Sequence, residues 1–129
     1  MLNFSLDHLV LTVRDIPTTC QFYATVLGME AVTFGAGRTA LKFGLQKINL
    51  HQAGSEFEPK AALPTPGSAD LCFLTLTSIP EVIAHLQACA VPLLEGPVQR
   101  TGANGPIESV YMRDPDGNLL EIANSLPEG

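Results

Sequence analysis

The stretch LDHLVLTVRDIPTTCQFY at 6–23 has a second copy in this chain, ADLCFLTLTSIPEVIAHL at 69–86. The two copies align at a shift of 63 residues, and each has an apolar segment followed by Ile-Pro. The near-continuous apolar and β-branched residues predict a strand covered on both faces. Asp15 and Ser78 are capping residues with a proline soon after, so a helix follows each strand. An internal repeat of this kind decides the fold more firmly than local propensity.

The end of each copy also repeats. ALKFGLQKINLH at 40–51 aligns with VYMRDPDGNLLE at 110–121 at a shift of 70, and each predicts a strand, a tight turn and a strand. The Gly/Pro-rich stretch 96–107 predicts a long surface loop. Short strands near 30–34 and 91–94 bring each module to four predicted strands. The predicted fold is α+β, with two tandem βαβββ modules forming an eight-stranded mixed sheet.

The size of the chain suits one folded domain. It has 129 residues, of which 46% are hydrophobic and 16% charged, close to the average of globular proteins. We therefore expect a single domain over 1–129, with module one at 1–52, a linker at 53–68 and module two at 69–125.

Charge and composition exclude several partners. The net charge is −6 and no run of Lys or Arg occurs, so nucleic acid is not expected as a partner. The apolar runs are far shorter than the ~20 residues that cross a bilayer, so no membrane partner is expected either. Cys20, Cys72 and Cys89 form an odd set without a CxxC pair, which predicts buried thiols and a cytoplasmic location.

Three residues have the chemistry of metal ligands. In the repeat His8 aligns with Leu71, and His51 aligns with Glu121. Two imidazoles and one carboxylate are the composition of an open transition-metal site, and each lies among apolar neighbours where an ionisable group is costly unless paired or bound. Each one alone also fits an ordinary hydrogen-bonded or solvated residue. Together, His8, His51 and Glu121 predict a divalent metal site, with Zn, Ni, Fe, Mn or Co as the ion.

Other polar residues carry weaker signals. Arg38, Arg100 and Arg113 could bind an anionic substrate, but the simpler prediction is that each lies on the solvated surface. Thr101 and Asn104 lie in a Gly-rich segment of the kind that often forms a flexible lid.

Four motifs together resemble the vicinal oxygen chelate superfamily, which includes glyoxalases, bleomycin resistance proteins and dioxygenases. They are DHLVLTVRDI, TCQFYATVLGM, INLHQ and YMRDPDGNLLEI, and the likeness covers nearly the whole chain. Five stretches carry a narrower resemblance to the glyoxalase domain-containing protein 5 group and to bacterial virulence-associated glyoxalase-like proteins: KINLHQ, EFEPKA, PTPGSADLCF, EGPVQRTGA and YMRDPDGNLLEI. The resemblance implies the paired βαβββ fold, a homodimer and a divalent metal.

The resemblance leaves three functions open. The first is a glyoxalase-like lyase or isomerase that acts on a small α-oxo or vicinal-dioxygen substrate, with Glu121 as both ligand and proton-transferring catalytic residue. The second is an Fe(II) or Mn(II) extradiol-type dioxygenase. The third is a non-catalytic protein that sequesters an antibiotic. Leu71 in place of a ligand implies an open metal site and argues against a direct transfer of the glyoxalase I mechanism.

Overall fold

A computed structural model describes residues 2–128, which contain eight strands and two helices. Contacts divide the chain into unit 1, which ends at Gly67, and unit 2, which begins at Ser68. Unit 1 contains β1 (His8–Val13), α1 (Ile16–Leu27), β2 (Glu30–Phe34), β3 (Arg38–Phe43) and β4 (Gln46–Gln52). Unit 2 contains β5 (Asp70–Leu74), α2 (Ile79–Ala88), β6 (Glu95–Gly102), β7 (Gly105–Arg113) and β8 (Leu119–Ser125). The predicted α+β fold of two tandem βαβββ modules is confirmed.

The eight strands lie in two mixed sheets of four strands each. The order is β1-β4-β3-β2 in unit 1 and β5-β8-β7-β6 in unit 2, and the first strand of each unit runs parallel to the last. The first strands are therefore edge strands. Burial alternates along them, and Val10 is 43% exposed and Leu74 62% exposed. The expectation that these strands are covered on both faces is wrong, because a single helix covers only one face of each sheet.

The helices begin where the sequence predicts. The Asp15 carboxylate accepts a hydrogen bond from Thr18 N at 3.0 Å, and Ser78 Oγ accepts one from Glu81 N at 3.4 Å. Gly28 ends α1 in the left-handed conformation, with φ of 69°. Within the described residues, neither helix has the length and apolar character needed to cross a membrane.

An amide side chain at the end of the last strand ties each helix to its sheet. Gln52 Oε1 accepts a hydrogen bond from Ile16 N at 3.1 Å, and Asn124 Oδ1 accepts one from Ile79 N at 2.9 Å. Each amide also donates to carbonyls of the connection between strand and helix. We call Gln52 and Asn124 the cap amides. They stabilise the first N–H of a helix, which has no partner within the helix itself.

The cap amides show which face of each sheet the helix covers. Side chains alternate along a strand, so residues an even number of positions from a cap amide point to the helix. These positions form the apolar core. In unit 1 they include Ile48 and Leu50, and in unit 2 Leu120 and Ile122, all at most 6% exposed.

The opposite face of each sheet, which we call the helix-free face, carries the remaining side chains. In β4 these are Lys47, Asn49 and His51, and in β8 they include Glu121. Partners across a strand pair share a face, so His8 lies on the helix-free face with its partner Lys47. The predicted ligands therefore all lie on the side of their sheet that the helix leaves uncovered.

The segment predicted as a loop at 96–107 is instead a hairpin. Strand β6 pairs with β7, Thr101 is part of that pairing, and no strand forms at 91–94. Glycine is needed here because the strands approach closely: a Cβ at Gly96 would lie 2.5 Å from Ser109 O. The Gly/Pro content that predicted a loop thus reflects a tight strand pairing with a bulge.

We predict that Asn124→Ala lowers the free energy of unfolding by about 2 kcal/mol, because three hydrogen bonds are lost, one to the first turn of α2 and two to the connection before it. Urea denaturation followed by circular dichroism measures the change. Ser125→Ala, at the exposed next position, serves as the matched control and should change stability by less than about 0.5 kcal/mol. Equal effects of the two substitutions would contradict the role given to the cap amide.

Candidate functional site

Glu121 is the centre of a polar row on the helix-free face of unit 2. It pairs with Cys72 across the parallel strand and with Tyr111 across the antiparallel strand. Ser109 Oγ, on a residue with no exposed surface, donates a hydrogen bond of 2.6 Å to Glu121 Oε2. A buried hydroxyl that donates to one oxygen fixes the orientation of the carboxylate.

Tyr111 extends this row toward the far edge of the sheet. Arg100 Nε donates to the Tyr111 hydroxyl at 3.1 Å, and the guanidinium also pairs with Glu95. Burial raises the pKa of Tyr111, Arg100 opposes that shift, and the Glu121 carboxylate adds to it. The phenol therefore stays protonated at neutral pH, with its hydrogen bond directed to the Glu121 carboxylate. Arg100, predicted as solvated surface, is exposed but is engaged in this row.

Cys72 departs from the expectation that the cysteines are buried. All three cysteines are free thiols, and the residue Cys72 is exposed. Desolvation of its sulfur, reinforced by the negative charge of Glu121, raises the pKa of Cys72 to about 11. At neutral pH it is a thiol that hydrogen-bonds with Glu121 rather than a thiolate nucleophile.

The strand pairing corrects the alignment of the repeat. The cap amides Gln52 and Asn124 occupy the same place in the two units, so three residues earlier Asn49 is the structural equivalent of Glu121. The ungapped sequence alignment instead matches Glu121 with His51. Leu71, matched with His8 in that alignment, pairs with Leu120 on the helix side of the sheet. It is therefore not a vacant ligand position on the helix-free face.

The His8 ring contacts the carboxylate of its neighbour Asp7. Its Nδ1 lies 2.8 Å from Asp7 Oδ2, and the side chain is 43% exposed. A carboxylate at Nδ1 favours the tautomer with the proton on that nitrogen, which leaves Nε2 with a free lone pair. His8 thus has the chemistry expected of a metal ligand or a general base.

His51 has a different environment. It is 3% exposed, and Arg38 Nη2 lies 3.3 Å from its Nε2. Burial lowers the pKa of His51, and the Arg38 charge lowers it further. The ring is therefore neutral, with Nε2 accepting from the guanidinium. An Nε2 engaged in this way is released for a metal only if Arg38 moves.

Strand register also separates the two histidines. His8 pairs with Lys47 and His51 pairs with Thr12, four positions further along the parallel strands. Four positions correspond to about 13 Å along a strand. Two imidazoles on one metal require their nitrogens to lie within a few ångströms of each other. The register thus favours a donor nearer to His8 than His51 is.

Asn49 is such a donor, and the sequence reasoning missed it. It pairs with Val10, two positions closer to His8, and is 5% exposed. Its Oδ1 is buried without a hydrogen-bond partner among the described residues. A buried amide oxygen without a partner is costly unless a ligand satisfies it. The signal in the sequence was an amide between two apolar residues, Ile48 and Leu50.

No group of three His, Cys, Asp or Glu side chains within residues 2–128 is close enough to hold a metal ion. Taken unit by unit, His8 and His51 lie on the helix-free face of unit 1, and Glu121 lies on that of unit 2. Each unit therefore has donor groups of its own on its helix-free face. The amide oxygen of Asn49 adds to those of unit 1.

We predict that alkylation of Cys72 by iodoacetamide has its rate midpoint at about pH 11. Glu121→Gln should move the midpoint to lower pH, because removal of a neighbouring negative charge makes the thiolate easier to form. Mass spectrometry of the Cys72 peptide separates this reaction from those of Cys20 and Cys89. Asp70→Asn is the control and should give a smaller shift, since Asp70 contributes less to the raised pKa. An unchanged midpoint in Glu121→Gln would contradict the contact.

Comparison with known proteins places this fold among its relatives. Residues 5–122 match the model of the Glyoxalase/Bleomycin resistance protein/Dioxygenase superfamily. The chain is 62% identical over 118 residues to virulence protein STM3117 of Salmonella typhimurium, covering 92% of this chain and 82% of the relative. It is 59% identical over 120 residues to glyoxalase domain-containing protein RDO1 of Mycosarcoma maydis, covering 93% and 68%.

A solved structure is equally similar. The crystal structure of the Salmonella typhimurium virulence protein superposes with a TM-score of 0.96 at 59% identity, covering 98% of this chain and 100% of that one. The repeat, the two βαβββ units and these relatives agree. The chain belongs to the Glyoxalase/Bleomycin resistance protein/Dioxygenase superfamily.

Proposed function

We propose that this protein is a metal-dependent, glyoxalase-like lyase or isomerase that acts on a small α-oxo or vicinal-dioxygen substrate. The pair formed by Asp7 and His8 carries the proposal. A metal-ligating histidine usually gives its other ring nitrogen to a carboxylate, which orients the ring and makes it a better ligand. The 2.8 Å contact at Nδ1 is of this kind, and Nε2 remains open.

The proposed ligands are His8, His51 and Glu121, with Zn, Ni, Fe, Mn or Co as the divalent ion. The donor chemistry fits such an ion, since imidazole and carboxylate both bind it. The contact between Arg38 and His51, together with the unpartnered Oδ1 of Asn49, favours Asn49 over His51 as the second donor of unit 1. Substitution of Asn49 and of His51 in separate variants distinguishes a site that uses Asn49 from one that uses His51.

The residues around Glu121 support a role in proton transfer. A bound divalent ion supplies Lewis-acid stabilisation of the charge that develops on a substrate oxygen. Glu121 is then the base that takes the proton, with its carboxylate held by Ser109. The protonated Tyr111 hydroxyl beside it donates to Glu121 and so helps Ser109 to hold the carboxylate.

A second candidate is a binding protein that sequesters a flat, apolar ligand without turnover. The observation that favours it is the aromatic surface around Arg38, whose guanidinium lies 5.4 Å from the Phe34 ring centroid and 4.9 Å from that of Phe57. Planar ligands stack on such surfaces. Metal-free protein that binds aromatic ligands but turns over no α-oxo substrate would favour this function.

We also propose that the active form is a homodimer. The edge strands β1 and β5 expose Val10 and Leu74, and the segment before β1 exposes Leu2, Phe4 and Leu6. Edge strands with exposed apolar side chains tend to pair with another surface. A second copy of the chain is the partner that the resemblance to the superfamily implies.

The ligand assignment predicts the metal content of variants. His8→Ala and Glu121→Gln should each weaken metal binding by at least about tenfold, and Asp7→Asn should weaken it by roughly tenfold because the ring loses its orienting carboxylate. Metal analysis of untagged protein loaded with each ion in turn measures this. His85→Ala, a histidine exposed on α2, is the control and should retain full metal content.

Two outcomes would overturn the proposal. Metal content unchanged in both His8→Ala and Glu121→Gln removes the site, and an absence of turnover of α-oxo aldehyde–thiol adducts with every loaded ion removes the glyoxalase-like activity. Comparison of Asn49→Ala with His51→Ala decides the second donor of unit 1. We expect the larger loss of metal with Asn49→Ala.

A further inference from the structure

Arg38 is a half-buried cation that has no carboxylate partner among residues 2–128. Its guanidinium lies against the rings of Phe34 and Phe57, and one Nη2 hydrogen points to the buried ring of His51. These contacts fix the plane of the guanidinium and use one of its five N–H groups. The remaining donors are held in a rigid fork without a partner of opposite charge.

Lys47 is a second cation of the same kind. Its Nζ lies 3.9 Å from the centroid of the Phe34 ring, the ring that Arg38 also contacts. No carboxylate within residues 2–128 forms an ion pair with it. Two like charges beside one aromatic ring repel each other, and partial burial strengthens that repulsion. Such an arrangement in a chain of net charge −6 is informative, because acidic groups are plentiful elsewhere.

Two carboxylates that act on His51 are already engaged. Glu56 and Glu58 influence the charge state of His51, so they lie close to this cluster. Glu56 accepts a hydrogen bond from Gly54 N at 2.8 Å, and Lys60 pairs with both carboxylates at 3.6 and 3.4 Å. The chain thus neutralises its own acidic side chains here with a different cation. The positive charges of Arg38 and Lys47 are therefore not neutralised by a carboxylate of the described residues.

We propose that Arg38 and Lys47 form a subsite for the oxyanion of a small organic acid, with Phe57 stacking against the apolar part of the same molecule. A planar guanidinium binds a carboxylate or phosphate-type group through two parallel hydrogen bonds. The ammonium group of Lys47 adds a point charge from the side of Phe34. His51 acts as a positioning residue that holds the guanidinium plane.

The proposal deepens the proposed function by naming the charged end of its substrate. It does not depend on metal or turnover, however, because the subsite lies within unit 1 and uses neither His8 nor Glu121. Anion binding can therefore be measured on metal-free protein, and metal binding can be measured without any anion. A failure of anion binding would therefore not contradict the metal site, and a failure of metal binding would not contradict the anion subsite.

The test is a titration of the metal-free full chain with inorganic phosphate and, separately, with benzoate at constant ionic strength, followed by amide NMR shifts. We expect saturable shifts at Phe34, Arg38, Lys47 and His51. Arg38→Gln should weaken binding of the anion by about tenfold or more, and Lys47→Gln by roughly threefold. Stronger binding of benzoate identifies an aromatic carboxylate as the better ligand, and stronger binding of phosphate identifies a phosphate-type group.

Lys42→Gln is the matched control. Lys42 pairs with Lys47 across the strands and lies on the same face, but it contacts neither aromatic ring, so its loss should change affinity by less than about twofold. Arg38→Lys keeps the charge and should bind with intermediate affinity, which guards against misfolding of Arg38→Gln. An absence of saturable shifts with either anion, or equal losses in Lys42→Gln and Arg38→Gln, would overturn the subsite.

Discussion

The cap amides are the interaction on which the chemistry of both units depends. Gln52 and Asn124 each join the end of the last strand to the first turn of a helix, and so they fix which side chains of that strand face the helix. A strand displaced by one position exchanges its two faces. Such a slip would put Leu120 where Glu121 is and would bury a carboxylate against the core, at a cost of several kcal/mol. The hydrogen bonds that start the helices therefore also set the positions of the polar groups.

Much of the fold follows from local physical signals. Asp15 and Ser78 predict the helix starts because each has a side-chain oxygen that can accept a hydrogen bond from a backbone N–H of the first helical turn. In the structure both oxygens do so. The sequence does not predict the hairpin of β6 and β7, because glycine is common both in loops and at points where two strands approach closely. At Gly96 and Gly102 a Cβ would lie within 3 Å of backbone on the facing strand, so glycine marks close pairing there rather than a loop. Composition alone does not separate these two cases.

The sequence predicts only part of the candidate site, because local signals do not reveal which residues are equivalent in the two units. His8 and Glu121 stand out as ionisable groups in apolar strands, but the alignment of Glu121 with His51 assumed hairpins of equal length. In unit 2 the turn is one residue longer, since Asp114 pairs with Asn118 around three residues whereas Phe43 pairs with Gln46 around two. The strand before the turn supplies the second position of the displacement, because Ala40 pairs with Asn49 whereas Tyr111 pairs with Glu121. An alignment without gaps cannot follow both hairpins. Asn49 was overlooked because only the strand pairing reveals it as the counterpart of Glu121.

The two units divide stability and chemistry between the faces of their sheets. The contacts that hold each unit together use the apolar residues on the helix side and one cap amide, and these are alike in both units. The helix-free faces have diverged: unit 1 carries the cations Arg38 and Lys47, whereas unit 2 carries Glu121 with its hydrogen-bond donors. The helix-free faces lie outside the apolar core beneath each helix, so the same scaffold can carry different polar groups there. A duplicated scaffold of this kind can acquire one face that holds a negatively charged ligand and another that moves a proton.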